Sequence, residues 1–153
     1  MKKILMTLVA VFATMTLFTL SSCSSDDEPG GDSIVGDWAS VQIESSGTYM
    51  FMERLKFNSN GTFTGVDYGI YGQDLNGNAV ISRIEKATFS GTYTAADGIL
   101  SLTIGVTQQL TYKLSGSVLS LTSSEGTADY DKVDNNINGI FNDVEQLYQA
   151  QQN

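Results

Sequence analysis

The feature that most constrains this chain is a rhythm of alternation broken by tight-turn pairs. In TYMFMERLKF, residues 48–57, Tyr49, Phe51, Leu55 and Phe57 alternate with Met50, Met52, Arg54 and Lys56, and the turn pair Asn60-Gly61 follows. ATFSGTY puts Phe89, Gly91 and Tyr93 on one side. Asp97-Gly98 turns the chain again before Leu100, Leu102 and Ile104, which alternate with Ser101 and Thr103. Leu110, Tyr112 and Leu114 lead through a turn at Ser115–Ser117 to Leu119 and Leu121, and a last strand runs from Gly126 to Val133. A period of two gives each strand one buried and one wet face, and no helical period appears before residue 134. The expected fold is all-β, an antiparallel barrel or sandwich of about eight short strands. The longest break expected between strands is YGIYGQDLNGN, Tyr68 to Asn78.

Lys2 and Lys3 open the chain, and the apolar stretch ILMTLVAVFATMTLFTL runs from Ile4 to Leu20. It is short for a membrane span and ends in small polar residues, as an export signal does. Its end, Leu20-Ser21-Ser22-Cys23, resembles the lipobox of bacterial lipoproteins. That resemblance implies that residues 1–22 are a cleaved signal peptide. Cys23 would then carry a diacylglycerol thioether and an acylated amine, which anchor the protein to a membrane. The acids of SSDDE, Asp26, Asp27 and Glu28, resemble the signal that sends Gram-negative lipoproteins to the outer face of the outer membrane. A hydrated tether facing the periplasm is the other reading of the same acids. Residues 23–33 form a flexible acidic tether, and residues 34–153 form the folded domain, with a helix over 134–150.

Residues 1–22 hold two of the 8 basic side chains and none of the 17 acidic ones, so cleavage takes the net charge from −9 to −11. A domain of that charge is repelled by phosphate backbones, which argues against nucleic acid as a partner. The chain has one cysteine, assigned to the lipid, and no histidine. No internal disulfide can form, no thiol remains for catalysis or zinc, and the usual general base is missing. A serine nucleophile would need a lysine base, and the lysines fall on polar strand faces. No phosphate loop or nucleophile elbow occurs, so the expectation is a non-enzyme without cofactor or metal.

Gly36-Asp37-Trp38 stands at the start of the first strand in IVGDWAS. With LKFNSNGTFTG and the closing DYDKV, it resembles the lipocalins and the small lipocalin-like domains of bacterial lipoproteins over roughly residues 34–134. The resemblance implies an up-and-down eight-stranded barrel, with a hollow that in lipocalins proper takes small apolar or amphipathic molecules. It also implies that Trp38 plugs the closed end of the barrel beneath a basic side chain of the last strand, here Lys132.

Four residues stand out as candidate ligand contacts. Glu53 shares the phase of Phe51 and Leu55, and Arg83 shares that of Ile81, and of Phe89 if the strand is unbroken. A charge facing a barrel interior is costly unless it is paired. Tyr68 and Tyr71 lie among glycines and Gln73, Asp74, Asn76 and Asn78, the combination a carbohydrate site needs. These readings point to a non-enzymatic binding protein of the cell envelope carrying a small apolar molecule or a short glycan. The alternative is a filled barrel that docks onto another envelope protein and holds no small molecule.

The last segment has two readings. Asp134, Asn136, Asn138, Gly139 and Glu145 fit the spacing of a calcium loop. The same letters place Ile137, Ile140, Phe141, Val144, Leu147 and Tyr148 on one helical face, with Asp134 as the N-cap. The stripe begins inside the would-be loop, so a helix packed on the barrel is expected, with all six apolar residues buried and Glu145 facing water.

Overall fold

The computed structural model describes residues 33–73, 75 and 80–153. The leader, Cys23 and the acidic tether lie outside the described residues, as do Asp74, Asn76 and Asn78. Eight strands follow in chain order: β1 (Gly36–Ile43), β2 (Tyr49–Phe57), β3 (Thr62–Gln73), β4 (Val80–Ala96), β5 (Ile99–Ile104), β6 (Val106–Ser115), β7 (Val118–Ser123) and β8 (Gly126–Lys132). Among the described residues one helix, α1 (Asn135–Gln152), follows the strands. Each strand pairs antiparallel with its sequence neighbour. β8 returns to β1 through Trp38 opposite Lys132 and Ala39 opposite Asp131, closing the barrel. The turn pairs act as their sequence requires: Gly61 and Gly98 take φ of 79° and 74°, a conformation glycine adopts without steric cost.

Inside the barrel, Trp38, Leu55, Phe57, Phe63, Leu100, Leu119 and Tyr130 form the main core. Phe57 meets Tyr93 edge-on at 4.9 Å and Phe63 at 5.8 Å between ring centroids. The ring of Phe89 lies directly over Gly65, where a Cβ would come within 2.1 Å of it. This inward position therefore has to be glycine.

A second core lies on the outside of the barrel. Met52, Tyr68, Ile70 and Ile84 project outward and are buried with Phe141 and Val144 of α1. Part of β3 and β4 is thus covered on both faces, which corrects the break expected from Tyr68 to Asn78. Strand β3 continues through Gln73, and a strand buried on both faces shows no clean alternation to read. The phase of Arg83 is also corrected. Tyr71 pairs with Arg83 but Gly72 pairs with Ile81, so Ser82 is the extra residue of a bulge. Ile81 packs in the outer core, while Arg83 keeps the phase of Phe89.

The twelve calcium-loop letters fold as N-cap and helix. Asp134 has extended backbone, and its carboxylate accepts the Ile137 N–H at 2.8 Å. The buried stripe is narrower than the six apolar residues suggest. Phe141 and Val144 are buried and Ile137 and Tyr148 are partly so, but Ile140 and Leu147 are 43% and 46% exposed. They sit on one flank, roughly 80° round the helix from the centre of the stripe.

Glu145 does not simply face water. Its carboxylate accepts the Tyr68 hydroxyl, Lys86 Nζ at 2.7 and 2.9 Å, and Gln149 Nε2 at 2.8 Å. Lys86 above all, then Tyr68 and Gln149, hold its carboxyl down at about 2 against an ordinary 4.5. A depressed carboxyl stabilises the fold above its unfolded value and loses that contribution as pH falls through its folded one. Glu145→Gln should therefore cost about 1 kcal/mol at neutral pH, given that the group is one-third exposed. Denaturant titrations should show the gap between the two proteins closing from pH 4.5 towards pH 2. A gap that stays constant over that range would mean the ion pair contributes nothing.

Candidate functional site: a hollow with a buried carboxyl pair

The barrel interior is packed at the Trp38 end and hollow towards the other. The hollow, about 340 Å³, is walled by Leu55, Phe63, Phe89, Leu102, Leu110 and Leu121. Its mouth is formed by Gln42 at the end of β1, by Ile104 and Gln108 around the β5–β6 turn, and by Ser123, Glu125 and Thr127 around the β7–β8 turn. The space persists because Ser123, Gly126 and Ala128, at successive inward positions there, are small. None of the lining residues is basic. The volume lies at the small end of the range of about 300–1,000 Å³ typical of ligand pockets.

One polar group breaks the apolar wall. Glu53 lines the hollow at 6% exposure, and the Tyr130 hydroxyl donates to its Oε2. Directly opposite Glu53 on the neighbouring strand is Asp67, 2% exposed, whose Oδ1 is buried with no partner. Ser40 pairs with Glu53 from the other side and is buried as well. The register of β1, β2 and β3 thus places a serine and two acids in one row across the interior.

Burial pushes the Asp67 carboxyl up to about 8, and the neighbouring Glu53 adds to the rise. Burial also raises Glu53, opposed by the Tyr130 hydrogen bond, which favours the carboxylate. Burial first, then the charge of Glu53, lifts the Tyr130 phenol well above its ordinary range, so it stays a donor. Adjacent buried carboxyls do not both ionise at neutral pH. The Tyr130 bond, from a donor that Asp67 Oδ1 lacks, favours the charged form of Glu53, and Asp67 is the member that burial and its neighbour push up to about 8.

Of the four candidate contacts, only Glu53 reaches the hollow. Tyr71 and Arg83 meet elsewhere, near the end of β3 and the start of β4. The Arg83 guanidinium lies 4.2 Å from the Tyr71 ring centroid, Tyr49 packs on that ring at 4.9 Å, and Glu85 pairs with Arg83 at 2.7 Å. The Arg83 side chain is 57% exposed, so it carries no burial cost that would demand a ligand. Tyr68 is corrected outright: it is 4% exposed in β3 and packs under α1 against Phe141. Three residues apart on a strand, Tyr68 and Tyr71 face opposite sides of the sheet and cannot form one sugar platform.

At the closed end, Trp38 is 2% exposed, its Nε1–H donates to the Ile34 carbonyl at 2.8 Å, and Lys132 Nζ stands 5.8 Å from its ring centroid. Trp38 does not line the hollow.

Asp67 and Tyr130 were missed from sequence, although a signal for each exists. Asp67 falls in the phase of Phe63 and Gly65, and Tyr130 lies between Asp129 and Asp131, whose wet face implies its dry one. Among the described residues no group of three or more Asp, Glu, His or Cys side chains could hold a metal ion. The comparisons with protein-family models and with curated proteins give no match for this chain.

Proposed function

We propose that this is a non-enzymatic binding protein of the bacterial outer membrane, anchored through lipid on Cys23 and displayed at the cell surface, which holds a small apolar molecule inside its barrel. The hollow carries this reading: an apolar-walled space of about 340 Å³ with an open mouth is what a carrier needs and what a filled docking module lacks. A glycan fits less well, since the two tyrosines that suggested it lie on opposite faces of β3. The anchor and the surface location rest on the lipobox-like Leu20–Cys23 and the acids at 26–28.

Native mass spectrometry of protein extracted from its own cells tests the cargo. A small apolar species should remain bound to the unaltered protein and be absent from Leu121→Trp, which fills the hollow from one wall. Overpacking of this kind costs about 1–3 kcal/mol, so the variant should still fold. An unaltered protein that carries nothing and takes up no apolar fluorescent probe would turn the reading towards the docking module.

The anchor has a separate test. Cys23→Ala should lose metabolic fatty-acid label and leave the membrane fraction. External protease should remove the domain from intact cells, and full protection would put it on the periplasmic face.

A further inference from the structure

We propose that the hollow selects a cationic amphiphile, a molecule with an apolar body and one protonated amine, and that the amine pairs with the Glu53 carboxylate. This rests on the reading of the barrel as a carrier and adds to it the chemical class of the cargo. Three independent observations support it.

The first is the wall. Sixteen residues line the hollow; two of them, Glu53 and Glu125, are acids, and none is Lys or Arg. A fatty-acid anion would enter a space with no counter-charge and meet a carboxylate inside it, while an ammonium meets a partner in low dielectric.

The second is how Glu53 is held. A carboxylate offers about four acceptor positions, and the Tyr130 hydroxyl takes one of them on Oε2. Tyr130 fixes the carboxylate and favours its charged form without neutralising it. Among the described residues no Lys or Arg bonds Glu53 either: Arg54 is bonded to Asp37 and Asn138, Lys86 to Glu145, and Arg83 to Glu85.

The third is Asp67. Asp67 does not itself line the hollow, but its Oδ1, opposite Glu53 on the next strand, is buried with no hydrogen-bond partner, so the polar row around Glu53 has an acceptor left over. An ammonium brings three donors in one group, where an alcohol brings one and a carboxylate none. At the mouth, Glu125 and the net charge of −9 draw cations in and repel anions.

Calorimetric titration of the full domain at neutral pH with octylamine, octanol and octanoate tests the proposal, since the three share one chain and differ in head group. Octylamine should bind at least about tenfold more tightly than octanol, and octanoate more weakly than either. Glu53→Gln, which keeps an acceptor for Tyr130, should bring amine and alcohol to equal affinity and leave octanol unchanged. Leu121→Trp should lose all binding. The proposal falls if octanoate matches octylamine, if Glu53→Gln keeps the amine preference, or if Leu121→Trp still binds amine, which would then sit on the acidic surface. The comparison on the unaltered protein decides even if a variant does not fold. Octanol binding without an amine advantage would sink this inference and leave the carrier reading standing. Binding of none of the three would sink both.

Discussion

Trp38→Ala should lower the stability of the domain by about 3–5 kcal/mol, the cost of removing a fully buried aromatic from a core that cannot collapse around it. The ring is 2% exposed and belongs to the inner core with Leu55, Phe57 and Phe63. Three losses combine in the variant. The apolar surface of the indole is no longer buried, a cavity opens at the end of the barrel, and the Ile34 carbonyl loses the Nε1–H that bonds it at 2.8 Å. The Lys132 contact, at 5.8 Å from the centroid, adds about 0.5–1 kcal/mol at most. Trp38→Phe separates these terms, since it restores part of the volume but not the hydrogen bond, and should recover about half of the loss. Denaturant midpoints measured with and without octanol check both. Because Trp38 does not line the hollow, ligand affinity should survive in whatever fraction folds. A loss below about 1 kcal/mol accompanied by lost binding would mean that Trp38 serves the ligand and not the core.

Asp67→Asn should do the opposite and stabilise the protein at neutral pH by about 2–4 kcal/mol. The sign follows from proton linkage. The Asp67 carboxyl is raised by burial, and then by Glu53, from its ordinary 3.8 to about 8. Between those two values the unfolded chain has released this proton and the folded chain holds it, so stability falls as pH rises through the interval. Asparagine has nothing to release. The stabilisation should be absent near pH 4, grow through neutral pH and level off above pH 8. Denaturation curves at several pH values measure it directly. A neutral-pH destabilisation by Asp67→Asn would mean that Asp67 is ionised and paired in the folded protein. A site that retains such a cost is a place where binding, not stability, accounts for the residue, and an amine beside Glu53 would draw the Asp67 carboxyl back towards its ordinary range.

The two results bear on the two ends of one barrel, and they were not equally legible in the sequence. The Trp38 end was. Its residues are local to strand starts and turns, and alternation fixes which side chains face in once a strand has one wet face. That is why β5 to β8, from Ile99 to Lys132, run as the letters predict. The helix and its Asp134 cap were legible for the same reason, since capping and the 3.6-residue period depend only on near neighbours.

What the tertiary structure alone decided depends on a second surface. Where α1 covers the barrel, Met52, Tyr68, Ile70 and Ile84 are apolar on the outer face, and the alternation that marks a strand disappears. Which side of the helix stripe touches the barrel is a matter of docking, so Ile140 and Leu147 remain exposed while Glu145 is drawn in by Lys86 and Tyr68. The Ser82 bulge separated Arg83 from the phase of Ile81 with no glycine or proline beside it on β4; Gly72, which lies against the bulge, belongs to β3. The row of Ser40, Glu53 and Asp67 needed the register of three strands, and the Tyr130 bond needed the barrel to close. Local physics writes strands, turns and caps into neighbouring letters. The meeting of a buried carboxyl pair with a phenol 77 positions away is written only in how the strands are paired.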